Sequence, residues 1–138
     1  MQASIKSQGI LHVYAHPDDE SFGNPATYAF YSNQGIPLFL MTLTRGEAGE
    51  TNETCADGEL GAVREKELRS ACKILGIRYL DIWDYPDGRI SKIPEEEGIL
   101  RIEEIYRVLK PEVVVTFGDD GITGHPDHIA ANRCATGA

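Results

Sequence analysis

The chain has 138 residues, with 13 Lys or Arg against 22 Asp or Glu and a formal charge of −9. That length and an apolar share of 41% predict one soluble globular domain over residues 1–138, able to bury roughly two-thirds of its unfolded surface. The acidic balance argues against nucleic acid or an anionic membrane as the main partner, because neither is attracted electrostatically.

Residues 10–15 (ILHVYA) are short, apolar and stopped by His16-Pro17, the pattern of a buried strand. Residues 25–34 read as a helix closed by Gly35. Residues 36–44 (IPLFLMTLT) form a second buried strand, followed by a polar, Gly-rich loop over 45–58 that is either a lid or a solvated connector. In 60–75, Val63, Leu68, Ala71, Cys72 and Leu75 recur at near-helical spacing, with Gly76 as the C-cap. A weaker strand over 78–83 and a loop over 84–94 come next. The helix over 95–109 has Glu95, Glu96 and Glu97 in its first turn, which suits the helix dipole, and is ended by Pro111. Residues 112–117 (EVVVTF) are a β-branched strand, and 127–135 read as a last helix.

Apolar strands separated by helices predict an α/β fold, a mostly parallel sheet with helices on both faces and right-handed crossovers. Switch-point reasoning gives the strand order 3-2-1-4 and puts ligands at the carboxyl ends of the strands. Strand four is then an edge, so self-association through 112–117 and the last helix is expected. No apolar run approaches the length of a membrane span, and Met1 to Gly9 lacks the apolar core of a signal peptide. Cys55, Cys72 and Cys134 contain no Cys-x-x-Cys pair, which argues against a disulfide framework or a thiolate zinc site and for a reduced, cytoplasmic protein. No Gly-x-Gly-x-x-Gly follows strand one, which weakens a dinucleotide reading.

Two segments just past strand ends carry the chemistry: Ala15-His16-Pro17-Asp18-Asp19-Glu20 and Gly124-His125-Pro126-Asp127-His128. Alone, a His-Pro-Asp is usually a turn, but two at strand ends point to a site. His16 and Asp19 can share one ion with His128. Two His and a carboxylate suit catalytic zinc, and also the facial triad of non-haem Fe²⁺. Asp18 is the natural base beside an activated water, and His125 the group that protonates a leaving amine or stabilises an oxyanion. Asp127 can orient an imidazole. His12, four residues before His16 and about 13 Å away, reads as a hydrogen-bonded core histidine. Asp87, in Tyr85-Pro86-Asp87-Gly88, is first a turn residue and second a partner for a sugar hydroxyl, and Glu47 is a loop anchor or a pocket residue. Arg64, early in its helix, is either a surface charge pairing with Glu65 or Glu67 or a functional residue.

These residues, together with Thr44-Arg45-Gly46-Glu47-Ala48-Gly49, Val63-Arg64-Glu65-Lys66-Glu67-Leu68 and Asp120-Gly121-Ile122-Thr123, resemble the successive motifs of the LmbE-like, or PIG-L, zinc-dependent N-deacetylases. The resemblance implies a Rossmann-like fold and removal of the acetyl group from a small N-acetylglucosamine-containing compound. It implies His16, Asp19 and His128 as zinc ligands, Asp18 as base, His125 as acid or oxyanion partner, Asp127 as the carboxylate orienting His125, and Arg64 as a substrate-pocket residue. Family members run well past the Gly-His-Pro-Asp-His helix, so the resemblance also implies a domain short at its C-terminal side. The alternatives are another small-molecule amidase or phosphoesterase, or a non-catalytic metal-binding or interaction domain.

Overall fold

A computed structural model describes residues 8–51, 55–56 and 58–138. Residues 1–7, which bear on the signal-peptide expectation, and residues 52–54 and 57 of the expected lid lie outside them. The sheet comprises β1 (Ile10–Tyr14), β2 (Leu38–Thr42), β3 (Tyr79–Ile82) and β4 (Val113–Val115), in the order β3-β2-β1-β4. All three pairings are parallel, as expected for strands joined through helices. The helices are α1 (Asp19–Gly23), α2 (Pro25–Asn33), α3 (Leu60–Leu75), α4 (Glu95–Leu109), α5 (Gly121–Gly124) and α6 (Pro126–Gly137), with a 3₁₀ turn at Ile90–Lys92. The short α1, the 3₁₀ turn and α5 fall where loop was expected, because each is only about one turn long and too short for periodicity to reveal.

β1 is central, and all five of its residues are buried. Only cover on both faces achieves that. Tyr28 of α2 stacks on His12 at 4.1 Å between ring centres, with α3 packed against α2. α4 and α6 pack together, and α6 runs against β1. Beyond Tyr14 the ladder continues as Leu43 N–H to Tyr14 O and Thr44 N–H to Ala15 O. The carboxyl ends of β1 and β2 therefore open on one rim. None of the helices among the described residues is long and apolar enough to cross a membrane, and the three cysteines are free thiols.

His12 is a core residue, but not a hydrogen-bonded one. Its side chain is fully buried, and neither ring nitrogen has a hydrogen-bond partner among the described residues. The apolar positions of neighbouring strands and the Tyr28 ring surround it, so spacing alone could not reveal whether a polar partner was present. Burial pulls its pKa down to about 4. A histidine neutral in the folded chain and titrating near 6.5 when unfolded contributes stability above pH 6.5 that is lost between pH 6.5 and 4. In that window the unfolded chain binds the proton the folded chain refuses. The loss at pH 4 is on the order of 3 kcal/mol. His12→Phe keeps the ring stack and removes two unsatisfied buried atoms, so its urea midpoint is expected to rise at pH 7 and to fall less steeply on acidification than the parent's.

Candidate active site

His16 lies two residues beyond β1, where the chain turns through Pro17 and Asp18 into α1. The His16 N–H donates to Asp19 Oδ2 at 2.8 Å, so the backbone itself aims the Asp19 carboxylate. His128 lies in the first turn of α6, three residues past its N-cap His125. Its Nδ1 faces the Gly121 carbonyl at 3.1 Å, which makes Nδ1 the protonated nitrogen and leaves Nε2 free, 3.4 Å from Asp19 Oδ1. Phe117 stacks flat on His128, with centres 4.0 Å apart and planes within 4°, and holds that ring in place. Gly121 has φ 64 and no room for a side chain, since a Cβ would press on the His128 Cβ at 3.1 Å.

His16 is set by two carboxylates. Its Nε2 lies 3.1 Å from Asp87 Oδ1 and 3.2 Å from Asp127 Oδ2, so Nε2 carries the proton and Nδ1 turns to Asp19 Oδ2 at 3.6 Å. Burial opposes a charge on His16, but hydrogen bonds to Asp127, Asp19 and Asp87 outweigh it and raise its pKa to about 11. Burial would raise Asp127, yet the His16 contact and the Gly88 and Ile90 N–H groups hold it below the usual carboxylate range. The His16 hydrogen bond lowers Asp87 likewise. Burial lowers His128.

His16, Asp19 and His128 can each bring one ligand atom within 4.8 Å of the others. Two imidazole nitrogens and one carboxylate, each oriented by a hydrogen bond from its other atom, suit a divalent ion. His16, His125 and Asp127 also come within that range. Asp127, however, is fully buried and accepts from Gly88 N (2.7 Å) and Ile90 N (3.0 Å), which makes it a support rather than a ligand.

The donors lie in a cavity of about 350 Å³ lined also by Asp18, Ala48, Arg64, Asp87 and His125. The Asp18 side chain is half exposed, and its partial desolvation raises its pKa against the opposing pull of Arg64. The His125 Nδ1 accepts the Asp127 N–H at 3.1 Å, so its Nε2 carries the proton and can donate.

A family profile described as PIG-L: GlcNAc-PI de-N-acetylase matches residues 11–138. The chain belongs to the PIG-L family. A 1D-myo-inositol 2-acetamido-2-deoxy-alpha-D-glucopyranoside deacetylase from Salinispora arenicola is 35% identical over 96% of this chain and 50% of its own length. A solved N,N'-diacetylchitobiose deacetylase from Pyrococcus horikoshii superposes with a TM-score of 0.81 at 27% identity, covering 94% of this chain and 48% of the other. A conserved protein from Thermus thermophilus has a TM-score of 0.76 at 34% identity, covering 93% and 53%. The chain thus spans about half the length of the relatives it matches.

Within this PIG-L fold two expected contacts differ, those of Asp127 and Arg64. The Asp127 carboxylate supports His16, not His125, which it meets only through its backbone N–H, because the chain enters α6 with residue 127 turned into the core. Asp87 lines the cavity with Oδ1 on His16 and Oδ2 on the Ala48 N–H, so its carboxylate braces the site. Arg64 pairs with neither Glu65 nor Glu67. Its Nη1 donates to the Gly46 carbonyl (2.7 Å) and its Nη2 to the Pro17 carbonyl and Asp18 Oδ2 (2.9 Å), while Glu65 is taken by Arg45 and Arg69. A Cβ at Gly46, where φ is 67, would run into that guanidinium. Glu47 is a loop anchor. Its Oε1 accepts the Asp87 N–H at 2.9 Å, reciprocating the Ala48–Asp87 bond and clamping two loops together. Sequence reasoning missed Phe117, whose only signal is its place at the end of strand four.

Proposed function

We propose that the chain is a metal-dependent N-deacetylase domain that hydrolyses the acetamide of a small N-acetylglucosamine-containing compound in the cytoplasm, with zinc as the ion held by His16, Asp19 and His128. The carrying observation is that these three donors share one cavity with an exposed carboxylate, Asp18, and a histidine whose Nε2 is a donor. A divalent ion there supplies Lewis acidity toward the acetyl carbonyl and makes a water more acidic. Asp18, steadied by Arg64, accepts the water's proton. The His125 N–H donates to the oxygen that gains charge as the carbonyl becomes tetrahedral. Asp87 and Asp127 hold the proton on His16 Nε2, so an ion would take Nδ1 in exchange for the second proton that the metal-free ring carries. Arg64 remains the cation at the substrate cavity. The relatives' names, which specify N-acetylated amino sugars, support the substrate class.

The test is acetate release from N-acetylglucosaminides, other amides and phosphoesters by the zinc-loaded chain, with metal content measured in parallel. Acetate from the glucosaminides and about one ion per chain are expected, with the ion lost in the His16→Ala/His128→Ala double variant. Stoichiometric metal in the double variant would sink the ligand assignment.

We further propose that copies of the chain associate through the β4 edge. Val113 and Val114 are 49% and 37% exposed, and among the described residues β4 pairs with β1 on one side and is the edge of the sheet on the other. Sedimentation should show association that strengthens with added salt, since salt screens the −9 charge and leaves the apolar contact intact. Val114→Lys is expected to yield a monomer. A parent chain that stays monomeric across micromolar concentrations counts against this edge.

A further inference from the structure

Asp18 holds a backbone conformation that a residue with a side chain rarely adopts, φ 102 and ψ −26. Outside glycine such a conformation costs on the order of 1–3 kcal/mol and persists only where its surroundings over-determine it. Its consequence is geometric. Successive side chains diverge by about 100° on a helix and point to opposite faces of a strand. With residue 18 at positive φ, Asp18 and Asp19 instead both line the metal cavity, although they are neighbours in sequence with different tasks.

Three sets of contacts hold residue 18 there. Its carbonyl accepts the N–H groups of Ser21 (2.8 Å) and Phe22 (3.0 Å), as at the start of any helix. Arg64 grips the Pro17 carbonyl and the Asp18 carboxylate. The remaining contact is to its own N–H, which donates to Glu20 Oε2 at 3.0 Å. Glu20 is a carboxylate only 2% exposed, and its other oxygen accepts the Ser21 hydroxyl. The reaction described above makes no use of it.

We propose that Glu20 is a positioning residue, whose buried carboxylate locks the amide plane between Pro17 and Asp18 and so keeps residue 18 at positive φ with both aspartates facing the cavity. This rests on Asp18 being the base of the proposed deacetylase. Without the acceptor at Glu20, residue 18 relaxes toward negative φ, its carboxylate swings out of the cavity, and the ligand set of His16, Asp19 and His128 survives.

The test compares Glu20→Gln, Glu20→Ala and Glu20→Met in the full chain. The backbone angle of residue 18 is read by NMR from its amide–Hα coupling and intraresidue contact in the metal-free protein. Metal content, kcat and KM are read in the zinc-loaded protein. Gln retains an acceptor oxygen and is expected to keep the positive φ and most of kcat. Ala is expected to move residue 18 to negative φ and to lower kcat about 10–100-fold, with KM and metal content near the parent's. Met fills the space without an acceptor and gives the same answer should Ala not fold. Positive φ and unchanged kcat in a folded Ala or Met variant would overturn the assignment, as would failure of Gln to rescue. A parent chain without deacetylase activity would count against the deacetylase reading alone, because the backbone angle is measured without turnover.

Discussion

Asp18→Asn is expected to keep one metal ion per chain and to lose roughly 10²–10⁴-fold in turnover, the range of a general base. Asp19→Asn is expected to lose the ion itself. The two residues are adjacent, yet their surroundings separate them. Asp19 is held between two imidazoles, with Oδ1 3.4 Å from His128 Nε2 and Oδ2 3.6 Å from His16 Nδ1. Asp18 is exposed to the cavity and its carboxylate pairs with Arg64. An amide at position 18 keeps an acceptor for Arg64 but cannot take up a proton at neutral pH, so binding persists while proton transfer fails. Metal content by elemental analysis and acetate release decide the matter. Metal lost in Asp18→Asn and kept in Asp19→Asn would exchange the two roles.

The largest stability effect is expected at Asp127. Its fully buried carboxylate serves three donors, His16 and the N–H groups of Gly88 and Ile90. Asp127→Ala strands two backbone donors and half the support of His16. Breaking a buried charged pair typically costs about 3–5 kcal/mol, and removing a carboxylate behind a ligating histidine about 10–100-fold in metal affinity. Urea unfolding of the metal-free chain gives the first number and chelator competition the second. Asp87→Ala should show mainly the second effect, because its acceptor bonds lie nearer the surface. An Asp127→Ala variant as stable as its parent would mean that the 84–90 loop does not depend on this carboxylate.

Local chemistry was enough for the strands and the longer helices, and it singled out the residues that meet at the rim. Largely apolar runs such as ILHVY and LFLMT suit buried parallel strands, and the helices between them supply the crossovers that leave β1 between β2 and β4. Because the strands are parallel, their carboxyl ends share one rim. That is why His16, just past β1, and His128, one loop after β4, were legible as partners despite the length of chain between them. Periodicity and turn chemistry act over a few residues, and they stop at the question of which rim carboxylate faces which ring nitrogen. That was decided by docking. The entry of α6 turned Asp127 into the core and onto His16, the loop after β3 brought Asp87 beside it, and the Glu47–Asp87 clamp fixed the two loops to each other. Arg64 has Glu67 three residues on in its own helix, but it reaches the Pro17 and Gly46 carbonyls instead, because α3 lies over the loops that follow β1 and β2. His12 shows the same boundary from inside the core. Its spacing marks it as buried, and only the packing of Tyr28 over it shows that the site offers a ring to stack on and no hydrogen bond.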